Sequence, residues 1–396
     1  MFVDNFCARF VGLAFAASLL LPRPAIASDK PIPKFEEVVI DPHAGEIVYA
    51  VTYADVDRDA KLDIVAVTEN AVYWYRNPSW EKHVIIKDQT IRDNVCIAAH
   101  DIDGDRQVDF ALGAGWPRAG GTIQWLQRGK SLTEPWKVHF IGEIPWTHRM
   151  RFADVLGTGK KQLTVSPLNK TEGEGVALTA FEIPPEPTKD RWPATVLDHS
   201  LNRMHNHWHV GGRDRPARTF TANEEGVQLI IPQEDGTFQK QPLNQEGAGE
   251  VKIGRLKNGP RMLATIEPMH GNKVVVATAE NARGGEWVRH ELDDTLGRGH
   301  ALWFADIDKD GDDELIVGHS EPATGEIKGP GIYIYDAQDA QGTVWKKHVI
   351  DNGGVAVEDA FAVDLTGDQW PDIVAGGRDT HNIKLYVNGG LMRDDR

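Results

Sequence analysis

The chain has 396 residues and a formal net charge of −16, so it is too long for one small domain and fits two domains or one large repeat architecture. With 41% hydrophobic and 26% charged residues, its composition is that of a globular protein. The excess of acidic residues argues against a nucleic acid or an anionic membrane as partner, because no basic face would neutralise phosphates.

The N-terminal residues 1–27 are typical of a secretory signal peptide. Arg9 precedes an apolar run over residues 10–21, and residues 25–27 fit a small-residue cleavage site. The run is short for a membrane span and no later stretch is long and apolar enough, although an uncleaved anchor is the alternative. We therefore expect an exported protein, periplasmic or extracellular, without a membrane span after removal of the signal.

A short β-rich phrase that opens on an aromatic residue recurs seven times along the rest of the chain. Successive phrases start 45 to 58 residues apart, which is room for four short strands and their turns. The phrases are Phe35–Ile40, Trp80–Ile86, Trp136–Ile141, Trp192–Leu197, Phe238–Leu243, Trp287–Leu292 and Trp345–Ile350. Their histidines, His83, His139, His290 and His348, are predicted to be structural residues at the edges of the repeated units.

The units share one internal order. In unit one, a β phrase at 47–54 leads to an Asp-rich loop, then to an apolar strand at 62–67 and an aromatic strand at 71–75. Short strands with turn signals between them predict an all-β fold, and seven four-stranded units predict a seven-bladed β-propeller with Asp-rich calcium-binding loops. We predict one domain over 29–396, in which the Phe35 phrase completes the sheet of the last blade.

Four units carry an Asp-rich loop directly after their first strand. Oxygen-bearing side chains recur at loop positions 1, 3, 5 and 9, and such a turn supplies the ligands that Ca²⁺ prefers. The residues are Asp55, Asp57, Asp59 and Asp63; Asp101, Asp103, Asp105 and Asp109; Asp306, Asp308, Asp310 and Glu314; and Asp364, Thr366, Asp368 and Asp372. We interpret them as structural Ca²⁺ sites in blades one, two, six and seven, the alternative being Asp-capped turns without metal.

These loops carry a family resemblance. Ala54–Asp57, Asp101–Asp105 and Phe304–Gly311 each lead into a β-strand such as Leu315–Gly318, and the pattern resembles the FG-GAP or VCBS class of propeller repeats. The resemblance covers nearly the whole chain after the signal. It implies the propeller fold, whereas function varies widely within that class.

Histidine is concentrated where the first strands of several units begin. Because the first strand of each unit precedes its Asp loop, the start of that strand lies near the central axis at the opposite end of the ring. Counting six residues back from the first loop Asp finds His148, His300 and Glu358, and also Tyr49 and Val95. Equivalent positions in several blades predict a shared axial site.

The fourth unit has no Asp loop from which to count. Its first strand carries His205, His207 and His209 at every second position, so in a regular strand all three imidazoles face one way. Imidazole is a common metal ligand and the usual proton-transfer group near neutral pH. The register of this strand leaves open which of the three is a ligand and which act as base or bind substrate.

Three imidazoles and a carboxylate suit a borderline cation such as Zn²⁺ or Mn²⁺ with one position open for a substrate oxygen. We predict that this axial metal is held by His148, His207, His300 and Glu358. The predicted catalytic acids and bases are His205, His209, His270 and Glu267. Substrate contacts are predicted from residues near the same mouth, namely Arg92, Asp93, Trp116, Arg118, Arg149, Lys170, His319, Arg378 and His381.

A narrower likeness lies in three stretches. Ile266–Asn272, Gly299–Asp306 and Gly115–Gly121 resemble the propeller domain of aldos-2-ulose dehydratases. That resemblance implies metal-dependent elimination of water from keto-sugars, and hence a carbohydrate substrate and a carbon–oxygen lyase. The alternatives are a non-catalytic carbohydrate- or protein-binding propeller, and a metal-assisted polysaccharide lyase or glycoside hydrolase.

Overall fold

A computed structural model describes residues 31–116, 121–132, 134–171, 173–212, 214–281, 284–325 and 327–391. The predicted signal peptide and Arg118 lie outside these residues. The described residues form 28 strands arranged in seven four-stranded sheets. Among these residues there is no helix with the length and apolarity needed to cross a membrane.

The first sixteen strands are β1 (Phe35–Asp41), β2 (Val48–Ala54), β3 (Asp63–Thr68), β4 (Ala71–Arg76), β5 (Glu81–Lys87), β6 (Cys96–His100), β7 (Asp109–Ala114), β8 (Thr122–Gln127), β9 (Lys137–Glu143), β10 (Thr147–Ala153), β11 (Gln162–Pro167), β12 (Val176–Glu182), β13 (Ala194–Leu201), β14 (Met204–Val210), β15 (Arg218–Asn223) and β16 (Gly226–Pro232). The remaining strands are β17 (Phe238–Pro242), β18 (Glu250–Arg255), β19 (Arg261–Glu267), β20 (Lys273–Asn281), β21 (Gly284–Asp293), β22 (Gly297–Ala305), β23 (Glu314–Glu321), β24 (Gly331–Ala337), β25 (Trp345–Asn352), β26 (Val357–Val363), β27 (Asp372–Gly377) and β28 (Ile383–Asn388).

Each sheet is one propeller blade. Blade one is β2 to β5, blade two β6 to β9, and the series continues to blade six, β22 to β25. The first strands of neighbouring blades contact one another around a closed ring, from β2 through β26 and back to β2. These seven strands therefore surround the central axis, and the predicted seven-bladed β-propeller is confirmed.

The last blade is closed by the N-terminal strand. β26, β27 and β28 come from the end of the chain, and β1 pairs antiparallel with β28 from Phe35 opposite Asn388 to Asp41 opposite Ile383. The Phe35 phrase completes the seventh sheet, as predicted. Closure protects an edge of β28 that would otherwise present unpaired backbone groups.

The hydrophobic core lies between the blades. Seven buried apolar clusters each combine residues of two neighbouring blades, one cluster for every junction in the ring. The second strands β3, β7 and β11 are buried along their whole length, since both faces of a blade are covered by neighbours. At Gly318 a Cβ atom would lie 2.3 Å from Val357 of the next blade, so glycine permits the close approach there.

Candidate metal centre and axial site

The axial site is built from a β-bulge that recurs near the start of five first strands. Pairing skips one residue between Val48 and Ala50, and the same interruption occurs in β10, β14, β22 and β26. The skipped residues are Tyr49, His148, His205, His300 and Glu358. A bulge leaves one residue unpaired and re-aims its side chain, so five blades each project one polar side chain at the same level of the ring.

Three histidines converge at this level. The ring nitrogens of His205, His270 and His300 offer ligand atoms that all lie within 4.8 Å of one another. His205 Nε2 and His270 Nε2 are 2.8 Å apart, and the rings of His270 and His300 stack with centroids 4.7 Å apart. His270 comes from the loop between β19 and β20, where its φ of 54° is left-handed, a strained conformation for a residue other than glycine.

Backbone carbonyls set the tautomers of two of these rings. His205 Nδ1 donates to the carbonyl oxygen of Gly249 at 2.8 Å, and His300 Nδ1 donates to that of Glu358 at 2.6 Å. In a neutral imidazole the other nitrogen then carries a lone pair, so each Nε2 atom is in the form that can bind a cation. A carboxylate adds to this support, because Glu250 Oε1 lies 3.0 Å from His205 Nδ1.

His148 lies beside the three clustered histidines. Its ring centroid lies 4.7 Å from that of His205, and it is 5% exposed. Neither of its ring nitrogens has a hydrogen-bond partner among the described residues, although both are buried. A buried imidazole without a partner costs free energy, and a bound metal or substrate polar group would remove that cost.

Burial keeps the four imidazoles neutral near pH 7. Desolvation is the largest cause that lowers the pKa of His270 to about 2, and the neighbouring His205 adds to it. Desolvation also lowers the pKa of His205, and holds those of His148 and His300 well below the ordinary value. Because the neutral ring is the ligand form, the site needs no proton release to accept a metal.

The bulge corrects the predicted register of the fourth blade. His207 was predicted as the ligand, but the bulge at His205 breaks the alternation and turns His207 towards blade three, where its Nδ1 lies 3.0 Å from Ser166 Oγ. His209, predicted as an acid or base, has both nitrogens occupied, by Thr164 Oγ1 at 2.6 Å and Thr219 Oγ1 at 3.0 Å. The structure therefore places His205 in the cluster and the other two outside it.

Glu267 was predicted as a catalytic acid or base, and the structure places its carboxylate in a hydrogen-bond network away from the clustered histidines. Its Oε2 accepts a hydrogen bond from Arg289 at 2.7 Å, and its Oε1 accepts one from Thr265 Oγ1 at 2.8 Å and one from Asn244 at 3.2 Å. The side chain is 3% exposed and is bound within blade five rather than at the axis.

Two carboxylates flank the cluster. Glu358 Oε1 is 2.7 Å from Arg378 and 3.6 Å from His300 Nε2, while its buried Oε2 has no partner among the described residues. Burial is the largest effect on Glu358 and raises its pKa despite the neighbouring Arg378. Glu250 received no role from the sequence; burial opposes its ionisation, but the contact with His205 holds its pKa at about 2. In the sequence, Glu250 could be recognised as the one carboxylate-bearing residue of β18.

Four of the predicted substrate contacts lie beside the bulged residues. Asp93 Oδ1 accepts a hydrogen bond from the Tyr49 hydroxyl at 3.1 Å, and Arg378 pairs with Glu358. The Trp116 ring lies 6.4 Å from Tyr49 and 5.8 Å from His148. Arg149 is buried and donates to the carbonyl oxygen of His148 at 3.0 Å.

The other predicted contacts lie apart from the cluster. Arg92 pairs with Glu46 on the surface, Lys170 donates to Asn202 at 3.2 Å, and His381 Nδ1 donates to the carbonyl oxygen of Glu46 at 2.6 Å. His319 is buried against Tyr333, and its Nδ1 donates to the carbonyl oxygen of Glu321 at 3.0 Å.

The Asp-rich loops lie at the opposite end of the ring. In three of them the carboxylates at positions 1, 3 and 9 offer oxygens within 4.8 Å of one another, namely Asp55, Asp57 and Asp63; Asp101, Asp103 and Asp109; and Asp306, Asp308 and Glu314. The blade-seven loop has Thr366 at position 3, and Asp364 accepts backbone amides of Gly367 and Gln369. The blade-six loop has the greatest need of a cation, because Asp306 Oδ1 and Glu314 Oε1 are buried and have no hydrogen-bond partner among the residues that the structure describes.

Comparison with known families agrees with this architecture. Residues 55–112 match the FG-GAP-like repeat, and residues 120–280 match the aldos-2-ulose dehydratase β-propeller domain. The chain is a seven-bladed β-propeller that contains a match to the FG-GAP-like repeat and resembles the propeller domain of aldos-2-ulose dehydratases. The second match includes His148, His205 and His270 of the axial site.

Sequence identity and coverage measure how similar the chain is to known proteins. Aldos-2-ulose dehydratase from Phanerodontia chrysosporium is 24% identical over 257 residues, an alignment that covers 56% of this chain and only 28% of that enzyme. A lectin from Agrocybe aegerita that recognises non-reducing terminal N-acetylglucosamine shares the fold with a TM-score of 0.51 and 14% identity, over 77% of this chain and 81% of the lectin. BBS1N in its complex with ARL6DN does so with a TM-score of 0.55 and 13% identity, over 92% of this chain and 98% of that one.

Proposed function

We propose that this propeller is an exported, metal-dependent dehydratase that eliminates water, or a β-linked glycosidic oxygen, from keto-sugars at the axial mouth. The observation that carries the proposal is the convergence of His205, His270 and His300 on one buried point. The segment that matches the dehydratase propeller supports it, because two of these three histidines lie within that segment.

The residues fit a transition metal such as Zn²⁺ or Mn²⁺. His205, His270 and His300 would hold it, with Glu358 as the neighbouring carboxylate, and three protein ligands would leave a position open. Bound there, the metal would supply Lewis-acid polarisation of a ketone oxygen, which acidifies the adjacent C–H bond.

The chain's own side chains supply the proton transfers. His148, neutral and without a partner, would accept the proton from the carbon next to the ketone. Protonated His148 would then pass that proton to the departing hydroxyl, because burial and the Asp93 charge raise the pKa of Tyr49 and make its phenol a poor proton donor. The C–H and C–O bonds break, a C=C bond forms, and one water leaves.

Replacement of His148 tests this assignment. We expect His148→Asn to lower the turnover of a keto-sugar by about 10²- to 10⁴-fold, the usual contribution of a general base, while the metal content of the protein is unchanged. The assay follows the ultraviolet absorbance of the unsaturated product. His199→Ala, at an exposed position on β13, is the control and should retain full activity.

Unchanged turnover in both His148→Asn and His300→Ala would overturn the proposal. A metal bound by four protein ligands with no open position, together with no unsaturated product from any keto-sugar, would instead indicate a non-catalytic binding propeller with a structural metal. Products from polysaccharides alone would indicate a polysaccharide lyase or a glycoside hydrolase.

We further propose that the Asp-rich loops bind Ca²⁺ as structural sites. Desolvation, with the nearby Asp308 charge, raises the pKa of Glu314 to about 10, which shows how unfavourable its charged form is without a cation. At a concentration 100 times its Kd, Ca²⁺ would stabilise the folded chain by about 2.7 kcal/mol per site.

Calcium is therefore expected to raise the melting temperature by about 5–11 °C for each occupied site, at roughly 2–4 °C per kcal/mol for a chain of moderate size. Differential scanning calorimetry with 1 mM Ca²⁺ and then with a chelator would measure the shift. Glu314→Gln should reduce it, whereas Asp235→Asn, in an exposed turn of blade four, should not. An equal shift in both variants would contradict a site in the blade-six loop.

A further inference from the structure

A second cavity occupies the axis between the bulged residues and the Asp-loop end. It has a volume of about 420 Å³, within the usual range for small-molecule sites. All seven first strands contribute to its wall, with residues that follow the bulges, such as Arg149, Arg151 and Asp359. The metal cluster lies at the other end of the same channel and none of its histidines lines the cavity.

The charges in the cavity wall are unbalanced. Four cations line it, Arg149, Arg151, Lys161 and Lys252, against the one carboxylate of Asp359. That carboxylate already accepts the backbone amides of Val51 at 3.1 Å and Ala360 at 3.0 Å. The cavity therefore has an excess of positive charge in a protein whose formal net charge is −16.

Two of these cations lack a counter-ion. Lys252 is 4% exposed and Arg151 is half-buried, yet neither forms an ion pair or a side-chain hydrogen bond within the part of the chain that the structure describes. Their contacts are with aromatic rings: the Lys252 ammonium lies 4.4 Å and the Arg151 guanidinium 5.0 Å from the Trp208 ring centre. Cation–π contacts replace only part of the lost hydration, so an anion between the two groups would be strongly favoured.

The wall also provides apolar contact. Trp208 and Trp303 meet edge to face with centroids 5.5 Å apart, and Lys252 lies 5.7 Å from the second ring. Tyr53, Ile97 and Phe152 continue this surface. A carbon skeleton can pack on these side chains, which an inorganic ion would leave uncovered.

We propose that this cavity binds a small organic anion, a carboxylate of about the size of a sugar acid, with the carboxylate between Arg151 and Lys252. Desolvation and the Arg151 charge lower the pKa of Lys252 to about 7, and a bound carboxylate would raise it again, which is the response expected of an anion site. The site is separate from the proposed dehydratase chemistry and does not depend on it.

Isothermal titration of the full chain with D-glucuronate at pH 6.5 tests the proposal, with D-glucose as the neutral counterpart and inorganic phosphate as the inorganic one. We expect glucuronate to bind and glucose not to bind. Arg151→Gln and Lys252→Met should each weaken glucuronate by at least about tenfold, the usual value of a charge-assisted hydrogen bond, and Lys252→Arg should retain most of the affinity. Melting temperatures of the variants report whether each is folded.

His205→Gln separates this cavity from the metal centre, and its affinity for glucuronate should equal that of the unmodified protein. Equal binding of glucose, full affinity in both folded cation variants, or loss of glucuronate binding in His205→Gln would each overturn the assignment. Tighter binding of phosphate than of glucuronate would overturn the organic character of the ligand.

Discussion

His205→Gln is expected to abolish binding of the proposed transition metal and to lower turnover of a keto-sugar by about 10³-fold or more, whereas His207→Gln is expected to keep both. Only His205 of this pair lies at a bulge and within 2.8 Å of His270. Loss of one of three ligands from a metal site typically removes the metal at ordinary concentrations, and with it the proposed Lewis acid. His207→Gln can keep the contact that His207 makes with Ser166 in blade three.

Metal content by elemental analysis and turnover of a keto-sugar are the two readouts for this pair of variants. Two neighbouring substitutions on one strand control for the general cost of altering a buried histidine in β14. Loss of metal from His207→Gln with retention in His205→Gln would restore the regular-strand register and refute the bulge as the basis of the site.

Deletion of the chain up to residue 42 is expected to lower the melting temperature by about 10 °C or to prevent folding. It removes β1, whose Phe35, Val38 and Ile40 pack against the junctions of blade seven. Three partly buried apolar side chains contribute about 1–2 kcal/mol each, and the ladder with β28 is lost as well. Asp41 is also lost, and it accepts hydrogen bonds from Tyr75 at 2.8 Å and Lys82 at 2.7 Å in blade one.

Calorimetry and size-exclusion chromatography measure the effect of this deletion, because an unpaired β28 edge also promotes association. The matched control ends the deletion at residue 30 and leaves β1 in place. Equal melting temperatures for the two shortened chains, with both monomeric, would show that the ring does not depend on closure by β1.

Most of the fold could be predicted because the same sequence features recur from blade to blade. The aromatic phrases mark the outer strands and the Asp loops mark the ends of the inner ones, so the strand order followed from spacing alone. The histidines of the outer phrases behave as predicted: His83 stacks on Trp74 and His139 lies on Trp125. Such local, repeated contacts leave a periodic trace in the sequence.

The site residues could be predicted only in blades that keep the loop Asp after their first strand. The count from the Asp loop located His148, His300 and Glu358, and all three lie at bulges. In blade four the loop is missing, and alternation suggested a regular strand. β14 ends at Val210, five residues after His205, and each of the other bulged strands ends five residues after its bulged residue. Gly211 marks the end of β14 in the sequence, so a count of five residues back from Val210 would have identified His205.

The remaining errors concern where side chains point. Glu267 and His270 are three residues apart in sequence, yet one pairs with Arg289 inside blade five and the other joins the axial cluster. Similarly, Lys252 and Trp208 meet across two blades, and nothing in the local sequence of either strand indicates that contact. Contacts between neighbouring blades join residues far apart in the chain and have no short-range signature in the sequence.

The recurring bulge has a consequence for how such a protein changes over evolution. An unpaired residue contributes no ladder hydrogen bond, so the side chain at that point can be exchanged without altering the sheet behind it. Five blades already use the position for a phenol, three imidazoles and a carboxylate. New ligand sets, and hence new reactions, are therefore accessible to this scaffold by single substitutions, one blade at a time.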